Sequence, residues 1–311
     1  MGTVLSVSEL RKIYEVRKNP FSVREELVRA VDGVSFEVSQ GETLGLVGES
    51  GCGKSTVARC VTLLEKPEGG RILFLGHDWV GMPEKKRKAL RKEMQIIFQD
   101  PYSSLNPRKR IMDTVAEPLI THHMVEKGAV AGKVLDVLKS VGLDEDSLKK
   151  YPHEMSGGQR QRVAIGRSLA TSPAFIIADE PVSSLDVSIQ AQIINLFLDI
   201  KERFTLSMLF ISHDLNIVRY VSDRIMVMYR GRVVEAAEKE ELFLRPMHPY
   251  TKILIEASTG TAIDKSEQPA PEVSCVFLDR CPVKVAACGE SVPELRGTHE
   301  HQVACFRADN Y

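Results

Sequence analysis

One short stretch constrains the fold of this chain more than any other part of its sequence. Residues 48–56 read Gly-Glu-Ser-Gly-Cys-Gly-Lys-Ser-Thr and match the pattern G-x-x-x-x-G-K-[ST]. The apolar run at residues 43–47 predicts a short buried strand before it, and Val57, Val61 and Leu64 have helical spacing after it. A strand, a glycine-rich turn and a helix in this order predict a loop that binds phosphate groups.

The residue types in this loop explain how it would bind a nucleoside triphosphate. Glycines allow consecutive backbone N–H groups to point at phosphate oxygens, and the positive end of the following helix faces the same place. The Lys54 ammonium can reach the β- and γ-phosphates, and the Ser55 hydroxyl can ligate Mg²⁺. The loop residues that we expect to contact the nucleotide are Gly48, Ser50, Gly51, Cys52, Gly53, Lys54, Ser55 and Thr56.

The composition argues against several other classes of protein. The 311 residues suffice for one substantial domain and one small domain. A net charge of -1 provides no general attraction to nucleic acid, so we expect no nucleic-acid partner. The sequence has no apolar run near the ~18 residues that span a bilayer, and it begins without the layout of a signal peptide. We therefore expect a cytoplasmic location, where the six cysteines would not form structural disulfides.

The first part of the chain is predicted to be rich in β-strands. Residues 3–7, 31–38 and 43–47 are strand candidates, and the polar stretch 16–27 between them predicts a long hairpin excursion. Tyr14 lies before that excursion, where its ring could stack on an adenine base. Because a single tyrosine in a strand more often serves packing, the residues alone leave both roles open.

The middle of the chain is predicted to change from strand to helix. Residues 95–98 are a strand candidate, and Gln99 follows it directly. The two prolines within residues 100–108 predict that this stretch has no regular structure. Apolar spacing then predicts mostly helical structure for residues 111–150.

The stretch Ser156-Gly157-Gly158-Gln159 predicts the beginning of another helix. Serine at the N-cap with glutamine three residues later is a capping box. Capping does not explain the paired glycines, which cost ~1 kcal/mol each inside a helix. Because they leave the N–H groups of the first turn uncovered, this helix start is a second candidate site for an anion.

Two strand candidates end in residues that can do chemistry. Asp179 and Glu180 follow the apolar run 175–178. Since adjacent carboxylates after a buried strand are costly unless they bind a metal or act in catalysis, Asp179 is a candidate Mg²⁺ ligand and Glu180 a candidate general base. The apolar run 206–211 leads to His213, a candidate contact to the γ-phosphate, because ligands of open α/β sheets gather beyond the carboxyl ends of strands.

The order of these motifs resembles that of the nucleotide-binding subunits of ABC transporters. The ordered motifs are the P-loop at 48–55, Gln99, S-G-G-Q at 156–159, D-E at 179–180, S-L-D at 184–186 and His213. The resemblance covers residues 1–256 and implies an α/β fold, an ABC-type P-loop NTPase with a RecA-like core and an antiparallel β-subdomain. It also implies a helical signature subdomain at about 100–172 and a head-to-tail dimer with two ATP molecules at its interface.

The same resemblance implies a role for each matching residue. Tyr14 would stack on adenine, Gln99 would sense the membrane partners, and Asp186 would reach across the interface. The expected catalytic residues are Lys54, Gln99, Glu180 and His213. The expected Mg²⁺ ligands are Ser55, Gln99 and Asp179. The expected nucleotide contacts outside the loop are Tyr14, Ser156, Gly157, Gly158, Gln159 and Asp186.

Finer features resemble the oligopeptide/dipeptide importer subfamily, namely residues 98–108 and the stretch His248-Pro249-Tyr250-Thr251. Related subunits serve nickel or oligosaccharide uptake, so the substrate stays open. The resemblance implies two transmembrane permease subunits, a second and different ATP-binding subunit as dimer partner, and indirect contact with an extracytoplasmic solute-binding protein. The chain would then lie peripherally at the cytoplasmic face of the membrane. A soluble ABC ATPase of a metabolic complex is the alternative, disfavoured by the transporter-like spacing between Gly53 and Ser156.

The last part of the chain combines a predicted linker with a cysteine-rich extension. Residues 257–272 are rich in Ser, Thr, Pro and charge, which predicts a linker before the extension at 273–311. Four cysteines there follow the pattern C-x5-C-x6-C-x16-C. The pattern lacks the paired spacing usual for zinc, and zinc, unligated thiols and a [4Fe–4S] cluster all stay open. Members of the subfamily carry such a cluster, and the matching positions are Cys275, Cys281, Cys288 and Cys305.

Overall fold

The computed structural model describes residues 2–17, 25–258 and 273–308. Within these residues the chain forms two compact units. The first unit contains Val38–Glu42 and Gly81–Phe210, and the second contains Leu5–Glu37, Thr43–Val80 and the described chain from Ile211 onward. No helix of the described residues is long and apolar enough to cross a membrane.

Strands and helices are numbered in chain order. The strands are β1 Thr3–Arg17, β2 Glu25–Ser39, β3 Thr43–Val47, β4 Gly69–Phe74, β5 His77–Asp78, β6 Met94–Ile97, β7 Phe175–Asp179, β8 Ser207–Ser212, β9 Arg224–Tyr229, β10 Arg232–Glu238, β11 Arg296–Gly297 and β12 His301–Val303. The α-helices are α1 Lys54–Val61, α2 Glu84–Leu90, α3 Pro101–Ser104, α4 Ile111–Thr121, α5 Val130–Ser140, α6 Gly157–Leu169, α7 Val187–Phe204, α8 Leu215–Val221, α9 Lys239–Leu244, α10 Pro249–Ser258 and α11 Ala287–Glu290.

The first unit combines short parallel strands with a group of helices. Strands β6 and β7 pair in parallel, with Met94 opposite Phe175 and Ile97 opposite Ala178. All residues of β7 are buried, which explains the unbroken apolar sequence of residues 175–178. Helices α4, α5 and α6 pack on one another through buried aliphatic side chains such as Val134. The helical structure predicted for residues 111–150 is therefore confirmed in its main part.

The prediction that residues 100–108 have no regular structure is wrong, because this stretch contains helix α3. Pro101 occupies the first turn of that helix, where its missing N–H costs nothing. The Asp100 carboxylate caps the helix by accepting hydrogen bonds from the backbone N–H groups of Tyr102 at 2.8 Å and Ser103 at 3.3 Å. Proline interrupts a helix when it lies in the interior, but Pro101 lies in the first turn and is compatible with the helix.

The second unit contains two groups of strands. One is a sheet in the order β2-β1-β4-β5, and in the other the strands run in the order β11-β12-β10-β9-β3. Strand β3 is wholly buried and pairs in parallel with β9, with Leu46 opposite Met226. This pairing fixes the strand from which the glycine-rich loop departs.

The described part of the cysteine-rich extension belongs to the same compact unit as the glycine-rich loop. Strand β12 pairs with β10, with Val303 opposite Glu235, so the extension adds to the edge of the second group of strands. The compact units therefore divide the chain differently from the boundaries at 1–256 and 273–311, which stay predictions. Of the predicted linker 257–272, residues 259–272 lie outside the described part of the chain.

Candidate functional site

The glycine-rich loop lies between β3 and α1, as predicted. Gly53 has a φ of 108°, and a Cβ atom there would lie 2.0 Å from the carbonyl oxygen of Ala30. A Cβ atom on Gly48 would lie 2.1 Å from the carbonyl oxygen of Met228. These two positions accept only glycine, since a backbone atom occupies the space of the side chain. The neighbouring main chain thereby fixes the path of the loop.

Lys54 is the first residue of α1 and follows this loop directly. The residue is only 4% exposed. Its ammonium donates hydrogen bonds to the carbonyl oxygens of Gly48 at 2.7 Å and Glu49 at 2.9 Å. The same nitrogen is 3.8 Å from Cys52 Sγ. Main-chain carbonyl oxygens of the loop therefore hold the Lys54 ammonium, which is the group expected to bind the β- and γ-phosphates.

Tyr14 lies at the end of the second unit's β1 strand and is partly buried. Its hydroxyl donates a hydrogen bond to the Glu65 carboxylate, and Lys12 Nζ lies 5.3 Å from the centroid of its ring. Burial and then the bond to Glu65 raise the pKa of the Tyr14 phenol, so this side chain stays neutral. Its role in stacking on adenine stays a prediction.

Gln99 and Glu180 lie together in the first unit. Gln99 Nε2 donates a hydrogen bond to Glu180 Oε2 at 3.1 Å, which connects the second residue after β6 with the residue that follows β7. Glu180 has a φ of 46°, a left-handed backbone conformation that is rare for a residue with a side chain. Asp179, at the end of β7, is 6% exposed. The parallel pairing of β6 and β7 thus brings Gln99 and Glu180 to one place.

The predicted capping box begins helix α6. The Gln159 N–H donates to Ser156 Oγ at 3.3 Å, and the Ser156 N–H donates to Gln159 Oε1 at 3.0 Å. Helix α7 explains one of the two glycines, because a Cβ atom on Gly158 would lie 2.6 Å from Ile189 Cγ2. A Cβ atom on Gly157 would approach the chain no closer than 3.5 Å. Packing within the subunit therefore does not account for Gly157.

Two other predicted site residues are exposed. Asp186 is the residue before α7, and His213 follows β8 and precedes the cap of α8. The Asp214 carboxylate forms that cap by accepting a hydrogen bond from the Asn216 N–H at 2.8 Å. Each of the two side chains is therefore presented at a turn beside a helix start.

The four cysteines of the extension are free thiols. Cys275 and Cys288 are buried, whereas Cys281 and Cys305 are partly buried, and the Cys275 N–H donates to the Cys288 carbonyl oxygen at 2.8 Å. Burial, together with smaller contributions from the other three cysteines, raises the pKa of the Cys275 thiol to about 11. Among the described residues, no group of three or more His, Cys, Asp or Glu side chains has an arrangement that could hold a metal ion.

Two residues, Arg280 and Tyr250, contact the P-loop although no sequence motif assigns them to it. Arg280 forms a two-point ion pair with Glu49 in the loop, and the Tyr250 hydroxyl accepts a hydrogen bond from the Glu49 N–H. Tyr250 belongs to the stretch at residues 248–251, whose sequence points only to the oligopeptide/dipeptide importer subfamily and not to a contact with the loop. The sole signal for Arg280 is its place beside Cys281.

Comparison with known proteins supports a nucleotide-binding role for this site. A family model described as ABC transporter matches residues 31–183, and one described as oligopeptide/dipeptide transporter, C-terminal region, matches residues 234–288. The ATP-binding cassette MJ0796, solved as a dimer in a post-hydrolysis state with ADP and Pi, aligns with a TM-score of 0.67 at 26% identity. That alignment covers 76% of this chain and 98% of the cassette. The fold and the glycine-rich loop thus define an ABC-type ATPase.

Sequence relatives define the group more narrowly. The oligopeptide transport ATP-binding protein AppF of Bacillus subtilis is 47% identical, and the alignment covers 97% of both chains. The dipeptide transport ATP-binding protein DppF of Escherichia coli is 42% identical over 98% of this chain and 95% of that protein. The chain belongs to the family of ATP-binding subunits of oligopeptide and dipeptide ABC transporters.

Proposed function

We propose that this chain couples ATP binding and hydrolysis to the import of di- and oligopeptides. The observation that carries the proposal is the identity of 47% across nearly the whole chain to a protein named for oligopeptide transport. The match of residues 234–288 to the C-terminal region of such transporters extends the similarity beyond the ATPase motifs. In this function ATP binding closes a dimer of ATPase subunits, and hydrolysis resets it.

Glu180 is the residue that we assign to the hydrolytic step. Its carboxylate would accept a proton from the attacking water, since a general base must lie within hydrogen-bond reach of that proton. The bond from Gln99 supports the assignment, because it orients the Glu180 side chain before any nucleotide arrives. His213 would contact the γ-phosphate, and Lys54 would bind the β- and γ-phosphates.

Mg²⁺, when bound, would neutralise part of the phosphate charge. Ser55, Gln99 and Asp179 fit this ion by their chemistry, since hydroxyl, amide and carboxylate oxygens are the ligands it takes in proteins. Gln99 already donates through its Nε2 atom to Glu180, so its carbonyl oxygen is the atom suited to a cation.

The second half of each ATP site would come from another ATPase subunit. Ser156 and Asp186 are exposed, and Gly157 meets only an ordinary contact within its own chain. These features suit a surface that approaches a nucleotide held by a partner. We propose that this partner is a second, different ATP-binding subunit and that two transmembrane permease subunits complete the complex. The chain would thus be attached to the cytoplasmic face of the membrane without crossing it.

We also propose that Cys275, Cys281, Cys288 and Cys305 bind a [4Fe–4S] cluster, for which their side chains would have to rearrange, because their arrangement in this structure could not hold a metal ion. Four cysteines within a short segment match the number of ligands that such a cluster requires. Mutual effects on the thiol pKa values and the main-chain bond between Cys275 and Cys288 support their closeness. The cluster would act as a structural staple for an extension too short to form its own core.

Purification from gently solubilised host membranes tests the transport function. A tagged chain should bring along two membrane-spanning proteins and a second ATPase. ATP hydrolysis by that complex should increase when a solute-binding protein loaded with peptide is added. Soluble enzymes or nucleic-acid proteins in place of the membrane proteins would overturn the transport proposal while leaving the ATPase activity intact.

Anaerobic purification of the full chain tests the cluster. We expect a broad absorption near about 400 nm and about four iron atoms per chain. Cys305→Ser should lose both signals, and Cys60→Ser, a buried cysteine outside the extension, should retain them. Stoichiometric zinc, or neither metal in the anaerobic protein, would contradict the proposal.

A further inference from the structure

An arginine of the cysteine-rich extension binds an acid of the P-loop. One terminal nitrogen of Arg280 donates to Glu49 Oε2 at 2.9 Å, and the other donates to Glu49 Oε1 at 3.0 Å. The side chains are only 7% and 20% exposed, respectively. A two-point pair of this kind is stronger and more directional than a single contact, and its burial limits screening by salt. Glu49 therefore has a fixed position and a compensated charge.

The guanidinium of Arg280 is itself held in place. It lies 5.8 Å from the ring centroids of both Tyr229 and Phe277, and it donates a long hydrogen bond of 3.5 Å to the Tyr229 hydroxyl. Phe277 is 1% exposed and packs edge-on against Tyr229, with 5.2 Å between the ring centroids. Because Phe277 and Arg280 are both in the extension, the packing of that extension positions the arginine.

A second contact reaches the main chain of the same loop residue. The Glu49 N–H donates a hydrogen bond to the Tyr250 hydroxyl at 2.9 Å. The Tyr250 ring is fully buried and lies 4.6 Å from the ring centroid of Tyr229 and 5.5 Å from that of Phe277. Glu49 is thus held twice, through its carboxylate and through its backbone, by one group of packed side chains.

The contacts to Glu49 bear on nucleotide binding because Glu49 lies in the P-loop. Glu49 is the second residue of the loop, directly after Gly48, and its carbonyl oxygen accepts a hydrogen bond from Lys54. A carboxylate at this place would repel a triphosphate if its charge were not compensated. We propose that Arg280 and Tyr250 are positioning residues for ATP. Arg280 neutralises Glu49, both residues fix the loop, and ATP affinity depends on the cysteine-rich extension.

The inference takes ATP binding by the P-loop as given and adds a partner for that loop. Charge compensation by Arg280 and a purely structural attachment of the extension predict different effects of mutation on ATP binding. A structural tie is weakened by removing either partner of the Arg280–Glu49 pair. Charge compensation predicts opposite results, because only the loss of Arg280 leaves a negative charge beside the nucleotide.

The test compares variants of the full-length protein by their Kd for ATP with Mg²⁺ and by KM and kcat. Arg280→Gln should weaken ATP binding about tenfold with kcat little changed, whereas Glu49→Gln should bind ATP as tightly as the wild type or more tightly. The double variant should return to within about threefold of the wild type, and Arg280→Lys should recover part of the affinity. Arg296→Gln removes an exposed ion pair with Glu294 in the same extension and should change nothing.

Three results would overturn the inference. One is wild-type affinity in Arg280→Gln together with a lower unfolding temperature. Another is a double variant that binds as weakly as Arg280→Gln alone. If Arg280→Gln does not fold, Tyr250→Phe replaces it, and we expect its KM for ATP to rise about threefold at unchanged kcat. The third result that would overturn the inference is an unchanged KM in Tyr250→Phe. Absence of ATP binding in the wild type would instead contradict the ATPase assignment, and the inference with it.

Discussion

The side-chain amide of Gln99 donates a hydrogen bond of 3.1 Å to the carboxylate of Glu180. Gln99 follows strand β6 and Glu180 follows strand β7, so the parallel pairing of these strands brings the two side chains together. The bond leaves Glu180 as an acceptor with a set orientation, and it occurs at a residue whose φ of 46° departs from the usual range. The residue proposed as general base is therefore constrained by both its side chain and its backbone.

Glu180→Gln should bind ATP yet hydrolyse it about 10²–10⁴-fold more slowly than the wild type, because the amide cannot accept the proton of the attacking water. Steady-state hydrolysis and an ATP-binding titration measure the two effects separately. Glu202→Gln is the matched control, since Glu202 is an exposed acid in α7. Wild-type turnover in Glu180→Gln would refute the assignment of the base.

Gly53→Ala should abolish nucleotide binding, because its Cβ atom would lie 2.0 Å from the Ala30 carbonyl oxygen. Gly51→Ala is a matched comparison within the same loop. Gly51 also has a positive φ, of 81°, but its Cβ atom would meet no atom within 4 Å. We expect Gly51→Ala to cost only about 1–2 kcal/mol of backbone strain. Binding titrations of folded protein check both, and equal losses would show that φ rather than close approach limits the loop.

Gly158→Ala should lower the free energy of unfolding by about 1–3 kcal/mol, because the new methyl group would overlap Ile189. Gly157→Ala should leave that free energy unchanged within about 0.5 kcal/mol. If the start of α6 faces a nucleotide on a partner subunit, Gly157→Ala should nevertheless lower ATP hydrolysis by the assembled complex. Denaturant unfolding and ATPase assays separate these effects, and a fully active Gly157→Ala complex would contradict the proposed composite site.

A buried carboxylate predicts a pH dependence of stability. Glu235 is 0% exposed and accepts hydrogen bonds from the Met247 N–H at 2.7 Å and the His248 N–H at 2.9 Å. His301 Nε2 lies 2.7 Å from the same carboxylate, and this bond raises the pKa of His301 above its ordinary 6.5, with a smaller contribution from Glu241. The pair ties the extension to β10.

Because the folded-state pKa of His301 is raised, its stabilisation is complete below about pH 6.5 and is lost as the pH rises through the folded-state value. His301→Gln should therefore lower the unfolding temperature more at about pH 6 than at about pH 9. His77→Gln, at an exposed histidine of β5, should show no such difference. Equal losses for His301→Gln at both pH values would contradict a charged pair.

Local hydrogen-bond patterns could be predicted well from the sequence. The capping box of α6 joins residues three positions apart. The glycine-rich loop lies between a strand and a helix that can each be recognised from their own apolar patterns. The prediction from local sequence was wrong at α3, because proline disrupts the interior of a helix but is favoured in its first turn. That distinction required knowledge of where the helix begins.

Local sequence patterns were sufficient to identify the phosphate-binding loop, the order of the ATPase motifs and the residues proposed for hydrolysis. Each of these is a pattern of neighbouring residues, whose chemistry depends little on distant parts of the chain. Only the tertiary structure showed that Arg280 contacts Glu49, a residue 231 positions away, and that Tyr250 holds the same residue. Such contacts have no sequence period, because they arise when remote segments pack together, and packing depends on the whole compact unit.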